Sequence, residues 1–396
     1  HPFINAVYEG KSISFLNKMM ESRNVLPLKF YDDEAAMIFH RFIKVDLCIL
    51  MILAAFTITR NGFKWIAKLI LCFVASLVLL EGLLSLMLIF PKLAKIGPFP
   101  LVQKIYFEEY RNYIQYEPDC AQYDPEITYT LKPGSCTFSN TEYNNKYFIN
   151  HLGLRDDEGS TLKPQIILLG DSYAMGWGVD QNKTYAHVLE ELSGLKVLNA
   201  GVASYATVRE MRMLDRLDTS NCRTLIIHYC ENDYKENNAY FSHDNTLGIM
   251  DEETYQQVIK DYQKKKQYFP GKYVFAAYRS LRKNEHKNYI PDFRRHELHK
   301  DRDYEAKIFL NALCNASHVD ISRMNIIVLA DETFDQSLNH IIGDYGDPAF
   351  VKNIKTVNLT EIIKPDHNFI LDDHINAKGH RAIAESILKM IDTTSS

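Results

Sequence analysis

Hydrophobic and polar positions divide the chain into an apolar N-terminal part, a middle part with little periodicity, and a long C-terminal part of alternating elements. After Pro164, short apolar runs alternate with amphipathic segments, a pattern typical of α/β folds. The predicted strands are 166–169, 196–198, 224–229, 325–330 and 355–359, and the main predicted helices are 185–192, 208–217 and 377–391. Because strands joined through helices must cross over, the sequence predicts a parallel sheet.

Two apolar runs, 47–59 and 69–90, are candidates for membrane spans. At about 1.5 Å per residue, the second run covers about 33 Å as a helix, enough for a hydrocarbon core of about 30 Å. The first run covers only about 20 Å by itself and must be extended back to Phe42 to cross. We expect two transmembrane helices within 42–91, with a buried core helix as the alternative for the first run.

Charges around the apolar runs predict the side of the membrane on which the rest of the chain lies. The turn at Asn61 stands within a cluster of cations from Arg60 to Lys68, which is typical of a short cytoplasmic loop. The C-terminal part would then be extracytoplasmic, in a periplasmic compartment, although Lys92 and Lys95 weaken this orientation. Residues 1–41 are a separate N-terminal segment for which the sequence predicts no role.

The segment 92–163 is rich in Tyr, Asn, Pro and Asp and is predicted to be a loop-rich connecting region with some β structure. It contains Cys120 and Cys136. In an oxidising compartment, a bridge between them closes a loop of about 15 residues and stabilises the fold by about 3 kcal/mol. The alternative is two unpaired thiols.

Composition excludes several classes of partner. With 396 residues, 46% hydrophobic residues and a net charge of -5, the chain can form at least one large core but has no basic excess for nucleic acid. Its seven cysteines show no CxxC pair and no zinc-type spacing with histidine. We therefore expect no metal site and no cofactor.

Catalytic side chains are expected where strands end, because sites in open α/β sheets form at the carboxyl ends of strands. The strand 166–169 is followed by Ser172, a nucleophile that needs a base to take its proton. His374 is the predicted base, since Asp372 and Asp373 directly precede it and either carboxylate can orient an imidazole. The order serine, aspartate, histidine predicts nucleophile, orienting group and base.

An acyl-transfer site also needs hydrogen-bond donors for the oxyanion that develops during the reaction. Gly201, after the strand 196–198, is predicted to offer a backbone N–H at close approach. Asn232, after the strand 224–229, is predicted to offer its side-chain amide, and the backbone N–H of Ser172 would be the third donor.

Four sequence blocks resemble those of the SGNH, or GDSL-like, hydrolase family, which is named after a Ser, a Gly, an Asn and a His. They are GDSYAMGWGV (170–179), LNAGVASY (198–205), CENDYKEN (230–237) and DDHINAKGH (372–380). Two positions depart from the family pattern: Cys230 replaces a glycine, and Leu371 stands where an aspartate commonly lies three residues before the histidine. We therefore choose Asp372 as the orienting group and retain Asp373 as the alternative.

The resemblance implies a flavodoxin-like, three-layer hydrolase domain over 164–396. Within it, the stretch 238–319, rich in Lys, Arg and Tyr, interrupts the alternation of strands and helices as an insertion that could cover the site or bind a partner. It implies a membrane-tethered serine esterase acting on O-acyl, in particular O-acetyl, esters of an extracytoplasmic glycan or a related substrate. The first alternative is an O-acyltransferase that modifies an envelope polysaccharide. The second is a catalytically silent carbohydrate-binding domain. The oligomeric state is not predicted.

Overall fold

A computed structural model describes residues 64–95, 99–283, 301–344 and 349–392. The chain divides into two units, His1–Gly82 and Leu83–Ser396. The segment 1–41 and the first apolar run at 47–59 lie outside the described residues.

The second apolar run lies in one unbroken helix, α1 (Lys64–Ile89). Its 20-residue part Ile70–Ile89 has a mean hydropathy of 2.4 and is long and apolar enough to cross a membrane. Large apolar side chains, among them Ile70, Phe73 and Leu79, are exposed on this helix. Exposed apolar side chains distinguish it from the buried core helix of a globular domain.

A five-stranded sheet forms the centre of the larger unit, and all of its strands run parallel. Its strands are β5 (Ile166–Gly170), β6 (Val197–Asn199), β7 (Thr224–His228), β8 (Asn325–Ala330) and β9 (Ile354–Asn358). They are ordered β6-β5-β7-β8-β9, the flavodoxin-like arrangement. The order reverses at β5, so a crevice is expected at the carboxyl end of that strand.

Helices cover both faces of the sheet and make the three layers that the resemblance implies. The helices of the larger unit on or near this sheet are α4 (Ser172–Met175), α5 (Tyr185–Ser193), α6 (Thr207–Leu214), α7 (Asp233–Ser242), α10 (Arg302–Asn315), α11 (Glu332–Asp344), α12 (Leu359–Ile362) and α13 (Ala377–Asp392). Buried side chains of α5 and α13 share one core cluster with the sheet, and those of α6, α10 and α11 share the other. The predicted parallel α/β fold is confirmed.

The predicted connecting region contains two β-hairpins rather than loops alone. They are β1 (Ala121–Asp124) with β2 (Thr128–Leu131), and β3 (Gly134–Asn140) with β4 (Tyr143–Ile149). A disulfide joins Cys120 to Cys136, with their Cα atoms 5.4 Å apart, as the sequence analysis proposed for an oxidising compartment. The bridge fixes the first hairpin to the second.

Between α1 and the hairpins the chain forms two short helices, α2 (Pro91–Ala94) and α3 (Phe99–Ile105), and then a π-helical turn (Tyr106–Tyr110). Such turns are frequent at functional sites because they change the direction of side chains within a helix. Here the turn begins with Tyr106, whose hydroxyl reaches the candidate active site.

The insertion predicted at 238–319 is more closely built into the fold than its polar composition indicated. Besides α7 it contains α8 (Glu252–Lys266), α9 (Lys272–Lys283) and α10. The buried Phe309 of α10 packs in the sheet core, so this helix belongs to the alternating α/β pattern. Tyr255 and Tyr262 of α8 hydrogen-bond to backbone groups of the segment 111–115 instead.

Candidate active site

The nucleophile candidate Ser172 lies directly after β5, at the edge of the sheet where the strand order reverses. Asp171 caps α4 by accepting the backbone N–H of Tyr173 at 2.9 Å, which begins the helix at Ser172. The hydroxyl of Ser172 donates to Nε2 of His374, with 2.7 Å between the heavy atoms. The two residues are 202 positions apart in sequence, and the fold brings them into the geometry of nucleophile and base.

Two carboxylates lie beside the other ring nitrogen of His374. Its Nδ1 is 2.6 Å from Oδ1 of Asp372 and 3.1 Å from Oδ1 of Asp373. Asp372 is fully buried, whereas Asp373 retains partial exposure. The shorter distance and the deeper burial favour Asp372 as the group that orients the imidazole. The side chain of Leu371 is buried in an apolar cluster, and its carbonyl accepts from the side chain of Gln103.

Asp372 is held by donors that the sequence analysis did not identify. Its Oδ2 accepts the hydroxyls of Tyr106 and Tyr143, each at 2.9 Å, and the indole N–H of Trp177 at 3.2 Å. Its Oδ1 accepts from Nδ1 of His374. With both oxygens occupied, the carboxylate has one orientation, and charged acceptors of this kind form strong hydrogen bonds.

Arg111 supplies the positive charge beside this group of carboxylates. Its Nη1 donates to Asp373 at 3.0 Å, and its Nε is 3.6 Å from Oδ2 of Asp372. The guanidinium also lies over the ring of Trp177, 4.8 Å from its centroid, and this indole stacks on His374 at 4.8 Å. Among the described residues, Asp372, Asp373 and His374 are the one cluster of three side chains that could bind a metal ion. Their possible ligand atoms lie within 4.8 Å of one another. The single positive charge of Arg111 offsets one of the two negative charges of that group.

The electrostatics of the group favour ionised Asp372 and a basic His374. Burial alone would raise the pKa of Asp372, but Arg111 and His374 hold that pKa well below its usual range. Burial would lower the pKa of His374, but the carboxylates of Asp373 and Asp372 raise it above its usual value. A more basic imidazole is a better proton acceptor for serine at neutral and alkaline pH.

The loop that carries Asp372 is fixed from the turn of the second hairpin. The carboxylate of Glu142 accepts three backbone N–H groups, those of Ile370 at 2.6 Å, Leu371 at 2.7 Å and Asp372 at 2.9 Å. Three such bonds hold the loop against the connecting region. The predicted hydrolase domain therefore depends on residues before 164 for the geometry of Asp372, its candidate orienting group.

Candidate oxyanion donors lie on the other side of Ser172. Asn232 faces the same cavity as Ser172, and its amide makes a long contact of 3.4 Å with Asp171. Ser204 also lines the cavity and adopts a left-handed backbone with φ of 59°. The backbone N–H groups of Ser172 and Ser204 donate to no acceptor in the part of the chain that the structure describes. Cys230, which replaces the family glycine, directs its thiol to Asp171 at 3.4 Å.

Gly201 is placed differently from the sequence prediction. Its N–H donates to the side chain of Asn199 at 3.1 Å, and Gly201 does not line the cavity. A Cβ at this position would lie 2.4 Å from the backbone nitrogen of Met175, in the helix that begins with Ser172. Gly201 is therefore needed because the backbone passes close to that helix. Ser204, rather than Gly201, lines the cavity.

A cavity of about 1250 Å³ surrounds the serine and the histidine. One wall comes from the segment that follows α1, with Lys95, Phe99 and Gln103. The opposite side is lined by residues of the last third of the chain, including Ile363 and Phe369. Both polar and apolar side chains therefore meet at the reacting group, as in most small-molecule sites.

None of the described residues of the insertion 238–319 lines this cavity. Of the two roles expected for the insertion, to cover the site or to bind a partner, its described part does not perform the first. Instead, α8 holds the segment that carries Arg111: the hydroxyl of Tyr262 donates to the Arg111 carbonyl at 3.3 Å and accepts the N–H of Tyr113 at 2.9 Å. The insertion acts on the site through this segment.

The sequence matches no family model and no curated protein sequence. Solved structures do resemble the chain at low similarity. A member of the lipolytic protein G-D-S-L family from Veillonella parvula is 12% identical, with 57% of this chain and 96% of that one covered and a TM-score of 0.31. An acetyl xylan esterase from the rumen bacterium Butyrivibrio proteoclasticus is 11% identical, with coverage of 58% and 63% and a TM-score of 0.31. A salicylyl-acyltransferase from a tetracycline biosynthetic pathway is 12% identical, with coverage of 61% and 57% and a TM-score of 0.32.

Similarity at this level establishes no function, so the function must follow from the chain's own residues. Its parallel sheet has the flavodoxin-like order, and its serine, histidine and aspartate meet at the carboxyl ends of the strands. Three of the four sequence blocks that resemble the SGNH family, those with Ser172, Asn232 and His374, place these residues around one cavity. The fold is a parallel α/β sheet of flavodoxin-like order, and the site holds a serine, a histidine and an aspartate in one hydrogen-bonded line.

Proposed function

We propose that the protein is a membrane-tethered serine esterase that hydrolyses O-acyl esters, in particular O-acetyl esters, of an extracytoplasmic glycan. The hydrogen-bonded line from Ser172 through His374 to Asp372 carries the proposal. A buried carboxylate with its pKa held low has no evident use in a silent binding domain, where it would only add desolvation cost. This argues against the carbohydrate-binding alternative.

The reaction follows from the geometry. As Oγ of Ser172 attacks the acyl carbonyl, its proton passes to Nε2 of His374, and Asp372 stabilises the imidazolium. The proton then goes to the leaving alcohol oxygen of the glycan, which departs and leaves the acyl group on Ser172. Water attacks this acyl-enzyme and gives a proton to His374, which returns it to Ser172 as the carboxylic acid is released.

The cavity supports a substrate larger than a simple acetyl ester. A volume of about 1250 Å³ exceeds what an acetyl group needs, so most of the space is available to the alcohol part of the ester. Polar side chains at the cavity wall, among them Asn232, Asp331 and Lys364, can form hydrogen bonds with sugar hydroxyls. A glycan ester fits this lining.

The tether and the compartment rest on separate observations. The exposed apolar surface of α1 supports a membrane span, and the Cys120–Cys136 bridge supports an oxidising compartment outside the cytoplasm. A reporter fused after Ser396 is expected to be active only outside the cytoplasm. Activity in the cytoplasm would contradict the placement without affecting the assignment of the serine.

Replacement of the nucleophile tests the activity. Ser172→Ala in the full chain should lower hydrolysis of a small acetyl ester by at least about 10³-fold. Ser220→Ala, a change at an exposed serine that does not line the cavity, is the matched control and should keep full activity. Mass spectrometry should also detect an acyl group on Ser172 during turnover. Equal rates in both variants, with both folded, would eliminate the proposed nucleophile.

A further inference from the structure

The end of α1 is built into the catalytic unit rather than connected to it by a linker. Leu84, Met87 and Leu88 are buried in a cluster that also contains Leu371, the residue before Asp372. The hydroxyl of Thr141 donates to the Leu88 carbonyl at 2.9 Å. The last turns of the apolar helix are therefore core residues of the enzyme.

The side chains of α1 change from mostly exposed to mostly buried toward the end of the helix. Leu83 is about half exposed, whereas Leu84 is buried. Within the larger unit, the part of α1 from Leu84 onward therefore packs against protein.

The helix α9 packs on this same cluster and leaves an aromatic face exposed. Tyr273 and Ala277 of α9 are buried with Leu88. On the outer side, Phe275 is 52% exposed and Tyr278 is 56% exposed. Exposed aromatic side chains of this size are uncommon on a surface that faces only water, and an amphipathic helix is the usual element that lies in a membrane interface.

Positive charge accompanies the aromatic face. Phe269, before α9, is 53% exposed, and the exposed Lys264 and Lys265 precede it at the end of α8. The ammonium of Lys272 hydrogen-bonds to the carbonyl of Lys265, which places the end of α8 beside the start of α9. Cations beside aromatic side chains are complementary to the anionic headgroups of a bilayer.

We propose that the surface formed by Phe269, Phe275 and Tyr278, with Lys264 and Lys265, docks on an anionic lipid bilayer next to the end of α1. The proposal rests on the membrane span of the proposed function but adds a second, peripheral contact with lipid. Two contacts would fix the enzyme's orientation, whereas a single helix permits rotation and tilt. The cavity wall at Lys95 and Phe99 follows directly from the same end of α1, so docking would hold the cavity near the lipid surface.

The test uses the full chain reconstituted in vesicles of phosphatidylcholine with phosphatidylglycerol. A tryptophan introduced by Phe275→Trp should be quenched by lipids brominated in the acyl chains near the headgroup. Phe241→Trp is the matched control: Phe241 is 45% exposed on α7, outside the cluster that contains the end of α1. Its fluorescence should not change with brominated lipid, and the intrinsic signal of the parent chain is subtracted from both.

A second variant tests the contribution of the face without a probe. Phe275→Glu combined with Lys264→Glu should abolish docking, seen as increased protease or deuterium exchange access at α9, while hydrolysis of a soluble acetyl ester stays unchanged. Raising the salt concentration should weaken docking of the parent chain, because the headgroup attraction is screened.

Each other outcome overturns the proposal in an identifiable way. Removal of the protein from vesicles by an alkaline wash would refute the span itself and the docking with it, but not the esterase activity. Retention without quenching at position 275 would refute docking alone. Absence of quenching together with a dimer that Phe275→Glu dissociates would assign the face to a second copy of the chain.

Discussion

Nη2 of Arg111 lies 3.1 Å from Nδ1 of His374, so a permanent cation contacts the ring of the proposed catalytic base. When Nδ1 carries the proton that it donates to Asp372, both nitrogens in this contact are donors, and the contact cannot be a hydrogen bond. The positive charge of Arg111 opposes protonation of the imidazole, whereas the carboxylates of Asp372 and Asp373 favour protonation. Arg111 therefore acts as a positioning residue that sets the charge balance of the site.

The first prediction concerns Arg111. Arg111→Gln leaves two carboxylates without their cation, so the pKa of His374 should rise further and the ascending limb of the pH–rate profile should move up by about one unit or more. Arg111→Lys should show a smaller upward shift than Arg111→Gln, because lysine keeps the positive charge but lacks the planar guanidinium. A loss of kcat at every pH without a shift of the profile would indicate a purely structural role.

The second prediction separates the two aspartates. Asp372→Asn should lower kcat by about 10²-fold or more, because His374 loses the acceptor at 2.6 Å that fixes its tautomer. Asp373→Asn should cost much less and should lower the apparent pKa of the ascending limb, since one carboxylate that raises the pKa of His374 is removed. For the parent chain the limb should lie above the ordinary histidine pKa of about 6.5. A greater loss for Asp373→Asn would reverse the assignment.

The elements of the α/β sheet could be predicted because their signal is local. Each strand is a short run of aliphatic residues, and the structure places all five predicted strands to within two residues at either end. Ser172 and His374 could be found because each follows a predicted strand or precedes a predicted helix in a recognisable block. These signals require no knowledge of which distant segments come into contact.

The surroundings of Asp372 could not be predicted in this way. Tyr106, Arg111 and Tyr143 lie more than two hundred residues before it in sequence, in a region that was predicted to be only a connection. No periodicity or spacing relates residues at that separation, and tyrosines are frequent throughout the segment 92–163. Trp177 lies in the sequence block of the nucleophile, but its stacking on His374 depends on the same tertiary contacts.

The third prediction distinguishes a donor from a packing glycine. Asn232→Ala should lower kcat by about 10²- to 10³-fold with little change in unfolding temperature, as expected for loss of an oxyanion donor. Gly201→Ala should instead lower the unfolding temperature, since the added Cβ would lie 2.4 Å from the backbone nitrogen of Met175. Unchanged stability with a large loss of kcat in Gly201→Ala would support the original assignment of Gly201 as a donor.

The fourth prediction concerns the bridge between the hairpins. Cys120→Ser or treatment with a reductant should destabilise the fold by about 3 kcal/mol, the chain-entropy value for a loop of about 15 residues. Cys222→Ser, at a free thiol, is the control and should behave like the parent chain. Denaturant unfolding with and without reductant measures the difference. Equal stability under both conditions would mean that the two thiols are unpaired.

The last prediction separates hydrolysis from acyl transfer to a glycan. In transfer, an acceptor sugar must react with the acyl-enzyme faster than bulk water, which is present at about 55 M. The protein must therefore hold the sugar hydroxyl next to the acyl carbon, where its effective molarity is high. The tyrosines and lysines of the insertion 238–319 could contact a sugar, but its described residues do not line the cavity. We therefore expect free acetate as the main product when an activated acetyl donor and a panel of neutral and acidic oligosaccharides are mixed with the full chain. Mass spectrometry that finds acetylated oligosaccharide in the parent chain, and none in Ser172→Ala, would instead establish the O-acyltransferase.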